Sequence, residues 1–128
     1  MITKFRAWLK EEYRMTDVRE ITFFNDEVQM ISGVEDFYAY DEFELMQFTG
    51  LKDKNGKEIF EGDIVKYKVG WNTFTEEVAY DKNYAGFGVM DADADIIFSF
   101  GELAGDIDLS SLEVVGDIYN NLELLEGE

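Results

Sequence analysis

The most constraining feature of this sequence is the run Gly50-Leu51-Lys52-Asp53-Lys54-Asn55-Gly56-Lys57-Glu58-Ile59-Phe60-Glu61-Gly62-Asp63-Ile64-Val65. Asn55-Gly56 is a strong turn signal, because both residues tolerate positive φ and their twist suits a tight hairpin. It sits in the charged stretch from Lys52 to Lys57, with apolar Leu45-Met46-Gln47-Phe48 before it and Ile59-Phe60 after it. Gly62 breaks the chain again. From Asp63 to Val69, Ile64 and Lys66 then share one face while Val65, Tyr67 and Val69 share the other. Period-two alternation with β-branched and aromatic residues predicts a half-buried strand. The glycines do not make a phosphate loop: Gly56-Lys57 is followed by Glu58 instead of Ser or Thr, and Glu61 would repel a phosphate.

The same reading extends along the chain. Lys4 to Leu9 alternates as a strand, Lys10 to Arg14 reads as a turn, and Asp17 to Phe24 as a second strand. Asn25-Asp26 turns into a third, Val28 to Ile31. Between Val34 and Leu45 the spacing of Phe37, Tyr40 and Glu44 predicts a short helix or a loop, ahead of a strand from Glu44 to Thr49. Strands then follow at Phe74 to Tyr80, at the Gly-interrupted Tyr84 to Met90, at the apolar Ile96 to Phe100 and at Leu112 to Tyr119. Short strands at this spacing predict a mainly β fold with little helix: an SH3-like small barrel over 50–128, preceded by a β-rich extension over 1–49. At 128 residues, 46% hydrophobic and 16% aromatic, the chain suits one domain or a domain with a modest extension.

Composition excludes several function classes. There is no cysteine, so neither disulfides nor thiol chemistry. Nor is there histidine, the commonest general base and the imidazole ligand of zinc sites. The chain is therefore expected not to be an enzyme. The net charge is −18, and Lys82 is the last basic residue, with 11 acidic side chains after it. Direct binding to a phosphate backbone needs a basic patch that this half does not have. Acidity on this scale suits solubility or attraction to a basic partner. No segment has the length of a transmembrane helix, and Met1 to Arg6 lacks the apolar run of a signal peptide, so a cytoplasmic protein is expected.

Two places carry possible function. Gly70 and Asn72 suit a hairpin whose tip carries Trp71. An exposed tryptophan there would be a protein-binding anchor, although the residues favour an indole folded back on the end of the barrel. Asp91-Ala92-Asp93-Ala94-Asp95 places carboxylates at positions 1, 3 and 5 of a calcium loop, with Glu102 at position 12. Position 6, where the sharp turn needs glycine, is Ile96, and the flanks read as strands. A solvated acidic loop is therefore favoured over a metal site at Asp91, Asp93, Asp95 and Glu102. A shared proton between two of these carboxylates is weaker still, because the sequence supplies no apolar pocket to raise one pKa.

The run MQFTGLKDKNGKEIFEGDIVKY resembles the signature of the YopX-like family of small phage and prophage proteins, and KFRAW near the start resembles its opening. The ending Glu113 to Leu125 is similar to its terminal motif, with Asp117 where Asn is common and Leu122 where proline is usual. The resemblance implies a mostly β fold with an SH3-like barrel, a phage origin and the host cytoplasm as location. It carries no catalytic residue, binding residue or cofactor. The expected function is that of a non-enzymatic accessory protein acting through a protein partner, of host or phage origin, or through self-assembly, without direct contact to nucleic acid or membrane. The alternatives are an acidic mimic of nucleic acid that inhibits a host nucleic-acid-binding protein, and a module binding calcium or a small ligand.

Overall fold

The structure, a computed structural model, describes residues 4–83, 85–91, 96–100 and 111–126. It is mainly β, and the chain forms two compact units, Met1–Phe48 and Thr49–Glu128. No helix among the described residues is long and apolar enough to cross a membrane.

The first unit contains β1 (Phe5–Leu9), β2 (Arg14–Asp17), β3 (Glu20–Phe24), β4 (Glu27–Ser32), β5 (Phe37–Ala39) and the start of β6 (Phe43–Lys52). Strand β1 lies between β2 and β6, antiparallel to both, while β3, β4 and β5 form a three-stranded antiparallel sheet. Ala7, Leu9, Ile31, Tyr38 and Phe43 make its core, with Val18, Ile21, Val28 and Leu45 packed around them. Burial of this apolar surface is the main favourable term holding such a small unit together.

Two expectations fail here, for local reasons. The strand predicted from Asp17 to Phe24 is divided, because successive residues bond to different strands. Val18 N–H donates to the Phe5 carbonyl at 3.2 Å and Arg19 N–H to that of Ser32 at 2.9 Å. The chain thus leaves one sheet for another between β2 and β3. Between Val34 and Leu45 there is a strand, β5, where a short helix or loop was expected. Tyr38 alone of its three residues faces the core, and a turn follows in which Glu42 N–H donates to the Ala39 carbonyl at 2.9 Å. Glu42 Oε1 also accepts from Ala39 N–H at 2.8 Å. So short an alternation, next to a polar turn, has no period that the sequence alone can separate from a helix.

The second unit begins within β6 and continues through β7 (Glu58–Phe60), β8 (Asp63–Val69), β9 (Asn72–Asp81), β10 (Gly86–Asp91), β11 (Ile96–Ser99) and β12 (Glu113–Asp117). Strands β8 to β11 form an antiparallel meander, and β12 returns to the free edge of β8, giving the order β11-β10-β9-β8-β12. This order is compatible with a small SH3-like barrel. Its core is Ile59, Val65, Tyr67, Val78, Val89, Phe100 and Leu112. The alternation read in Asp63–Val69 is kept: Val65 and Tyr67 are buried, whereas Lys66 and Lys68 are exposed.

A turn forms at Asn55-Gly56, closed by Gly56 N–H donating to the Asp53 carbonyl at 3.0 Å; Gly56 takes φ 81, whereas Asn55 does not take the positive φ that the sequence signal allowed it. The anchor of this turn is Asp53, 7% exposed. One carboxylate oxygen accepts from Asn55 N–H at 2.8 Å and Lys57 N–H at 2.9 Å, and the other from Val114 N–H of β12 at 2.9 Å. Burial raises the pKa of this carboxyl, but the three backbone bonds and the nearby Lys57 outweigh it and hold the group below its ordinary value. One short side chain therefore ties the loop to the strand that closes the sheet.

Candidate functional site

The β8–β9 hairpin has a two-residue loop, Gly70-Trp71, between the paired residues Val69 and Asn72. Gly70 takes φ 60 and Trp71 has no positive φ, the pattern of a II′ turn with glycine first. Trp71 thus occupies the tip. The indole does not fold back on the barrel end, as the sequence favoured, but is 102% exposed. The correction has a steric source: a two-residue loop projects its second side chain beyond the last pair of the ladder.

Inward from the tip, Phe74 pairs with Tyr67 across the hairpin, their rings stacked at 5.6 Å and 25°. Phe74 keeps 38% exposure while Tyr67 is buried. The Tyr67 hydroxyl donates to Glu76 Oε1 in a short hydrogen bond. Glu76 pairs with Val65 and, two positions from both Phe74 and Val78, shares the core side of the sheet with them. The β9–β10 ladder pairs Glu77 with Met90, and continuing it by one residue sets Asp91 opposite Glu76.

These placements explain the electrostatics. Burial pushes the Tyr67 hydroxyl well above its ordinary pKa, and the bond to Glu76 and the charges of Glu76 and Asp91 add to the rise. Burial also raises Glu76; the bond from Tyr67 opposes this and the charge of Asp91 reinforces it. Glu77, on the other side of the same strand, is raised by burial alone. A setting that raises a carboxyl, which the sequence did not supply, thus exists at Glu76, where burial is the largest cause. The available signal was the alternation of β9, which puts Glu76 in phase with Phe74, Val78 and Tyr80.

Asp91 lies at the end of β10, half-buried. Asp93, Asp95 and Glu102 lie outside the described residues. Among the described residues, no group of three or more acidic side chains is placed to hold a metal ion.

A second set of exposed aromatics lies in the first unit, at Tyr13, Phe23, Phe24, Phe37 and Tyr40. In the stretch expected to be a short helix or loop, Tyr38 and Phe43 enter the core, but Phe37 is 70% and Tyr40 63% exposed.

A model of the YopX protein family matches residues 4–126. No curated protein matches the chain. Among solved structures, the chain is similar to that of protein EF1440 from Enterococcus faecalis, with 30% sequence identity and a TM-score of 0.70. That similarity covers 98% of this chain and 99% of the other.

Proposed function

This chain belongs to the YopX family, and we propose that it is a non-enzymatic accessory protein of a phage or prophage, working by protein–protein contact in the host cytoplasm. The contact is made by the tip of the β8–β9 hairpin, with a host or phage protein or a second copy as partner. The observation that carries this reading is the complete exposure of Trp71 at the hairpin tip. Tryptophan is the residue most often found as an energetic anchor of interfaces, and an indole left in water adds nothing to the core. The absence of histidine and cysteine supports a role without catalysis, and the reading includes no bound cofactor.

The test is capture of partners from host extract on the immobilised protein, in parallel with a Trp71→Ala variant, eluted in steps of rising salt. A partner held by the wild type and absent from the variant is expected. Equal capture by both would remove Trp71 from the interface.

The −18 charge favours a second reading, an acidic mimic that occupies the nucleic-acid groove of a host protein. Counter-charged association weakens as salt screens it, whereas an anchor in an apolar pocket resists salt. Release of a nucleic-acid-binding protein at moderate salt, from wild type and variant alike, would favour the mimic.

A further inference from the structure

The first unit carries a surface that the Trp71 hairpin does not involve. In the β3–β4–β5 sheet, Ile21, Ile31 and Tyr38 are paired side by side and face the core. The residues between them necessarily face the other way. Thr22, Met30 and Ala39 are in register on that outward face, with Phe24 at one end of it and Phe37 at the other. Phe24 is 66% and Phe37 70% exposed, so both ends of the face lie open to solvent. The register shift in this sheet between Thr22 and Phe23 falls on the β4 side, at Gln29, and leaves Glu20, Thr22 and Phe24 in phase along β3. The same face carries Glu20 and the buried Ser32 in the row of Phe37, and Glu27 opposite Phe24, so two exposed phenylalanines and a methionine stand among carboxylates on it.

Charge selects among the possible occupants. From Glu20 to Asp41 the chain has six acidic residues and no basic one. Glu20, Asp26, Glu27 and Asp36 are exposed on the same strands and their turns. A second copy of this face would bring like charges together, which opposes self-association. A cationic partner meets carboxylates at the rim and the negative faces of the Phe24 and Phe37 rings, both of which attract Lys and Arg. Its aliphatic side chains would cover Met30 and Ala39. We propose that the outward face of β3–β4–β5 is a docking surface for a basic, amphipathic segment of a partner protein.

The probe is a synthetic peptide of alternating Arg and Leu, titrated calorimetrically into the full-length protein. Two control peptides carry Gln for every Arg, or Ser for every Leu. The Arg/Leu peptide is expected to bind, and the Phe24→Ser/Phe37→Ser double variant to bind it about tenfold or more weakly, a difference of one decade in affinity. Both phenylalanines are mostly outside the core, so the variant should melt with the wild type, and a matching midpoint confirms that the loss is local. Trp71→Ala should bind this peptide as the wild type does. No binding, equal binding by the double variant, or equal binding of the Ser-substituted peptide would each overturn the proposal. So would a concentration-dependent dimer in sedimentation that the double variant loses, because the face would then belong to a second copy.

Discussion

Two of the tight glycine turns in the second unit, Asn55-Gly56 and Gly70-Trp71, each have the glycine at positive φ, 81 and 60. The first is tied inward: Asp53 is 7% exposed and accepts from Asn55, Lys57 and Val114. The second turns outward, with its largest side chain 102% exposed. A glycine at positive φ thus serves different ends in the two turns. A turn that closes a fold invests its polar groups in the backbone of another strand, and loses stability when they are removed. A turn that presents a side chain to solvent adds nothing to the core through it, and its removal should leave the folded state nearly unchanged.

Asp53→Ala should produce the largest effect on the folded state. It strips three backbone N–H groups of their acceptor, two in the exposed turn and one on half-buried β12, and is expected to cost roughly 2–3 kcal/mol in denaturant unfolding. A loss below about 1 kcal/mol, the scale of a surface change, would end the distinction between the two turns. Gly116→Ala probes the strand that Asp53 holds. A Cβ at Gly116 would stand 2.6 Å from the Asn121 side chain, whose Oδ1 accepts from Asp117 N–H at 3.2 Å. Steric overlap of that kind should cost about 2 kcal/mol, measured by the same unfolding curves.

Glu76 sharpens the comparison, since burial and the charge of Asp91 raise its carboxyl whereas backbone N–H groups lower that of Asp53. Glu76→Gln should stabilise the protein at neutral pH by about 0.5 kcal/mol, the scale of a like-charge pair across neighbouring strands. The pH dependence follows from the two opposite shifts. Asp53 is depressed, so its contribution is complete above the ordinary carboxylate pKa and is lost as pH falls through its lower folded value. Glu76 is raised, so the folded state binds more protons than the unfolded one just above the ordinary value, and stability falls as pH rises through that window. The wild type should therefore gain stability from neutral to mildly acidic pH and lose it in stronger acid. Glu76→Gln should flatten the first limb, although Glu77, also raised, keeps its share. Smallest of all is Trp71→Ala, expected to leave the unfolding midpoint within about 0.5 kcal/mol of wild type.

Much of the second unit was legible in the sequence because its signals are local. Asn55-Gly56 and Gly70 mark turns by their backbone freedom, and Asp63–Val69 shows its buried face by alternation. Interactions distant in sequence were not legible. Nothing next to Asp53 announces that its second oxygen reaches Val114, 61 residues away. The division of Asp17 to Phe24 depends on carbonyls of Phe5 and Ser32, which only the assembled sheets supply. Trp71 lay between two readings because side-chain direction at a turn follows from the number of loop residues, and an apolar type argues for burial wherever it stands. Glu76 was overlooked since a carboxylate on a core face contradicts its own hydropathy, although its phase with Val78 was readable.

If Trp71 enters a partner, as proposed, its own fluorescence reports the event. Trp8 is 8% exposed and common to both proteins, so the difference between wild type and Trp71→Phe isolates the signal of Trp71. In the free protein this difference should show the red-shifted emission and ready acrylamide quenching of an indole in water. With a partner captured from host extract, the emission of Trp71 should shift to the blue and be protected from quenching. Emission and quenching unchanged in the complex would contradict the proposal, and would leave the hairpin tip a bystander to whatever this protein binds.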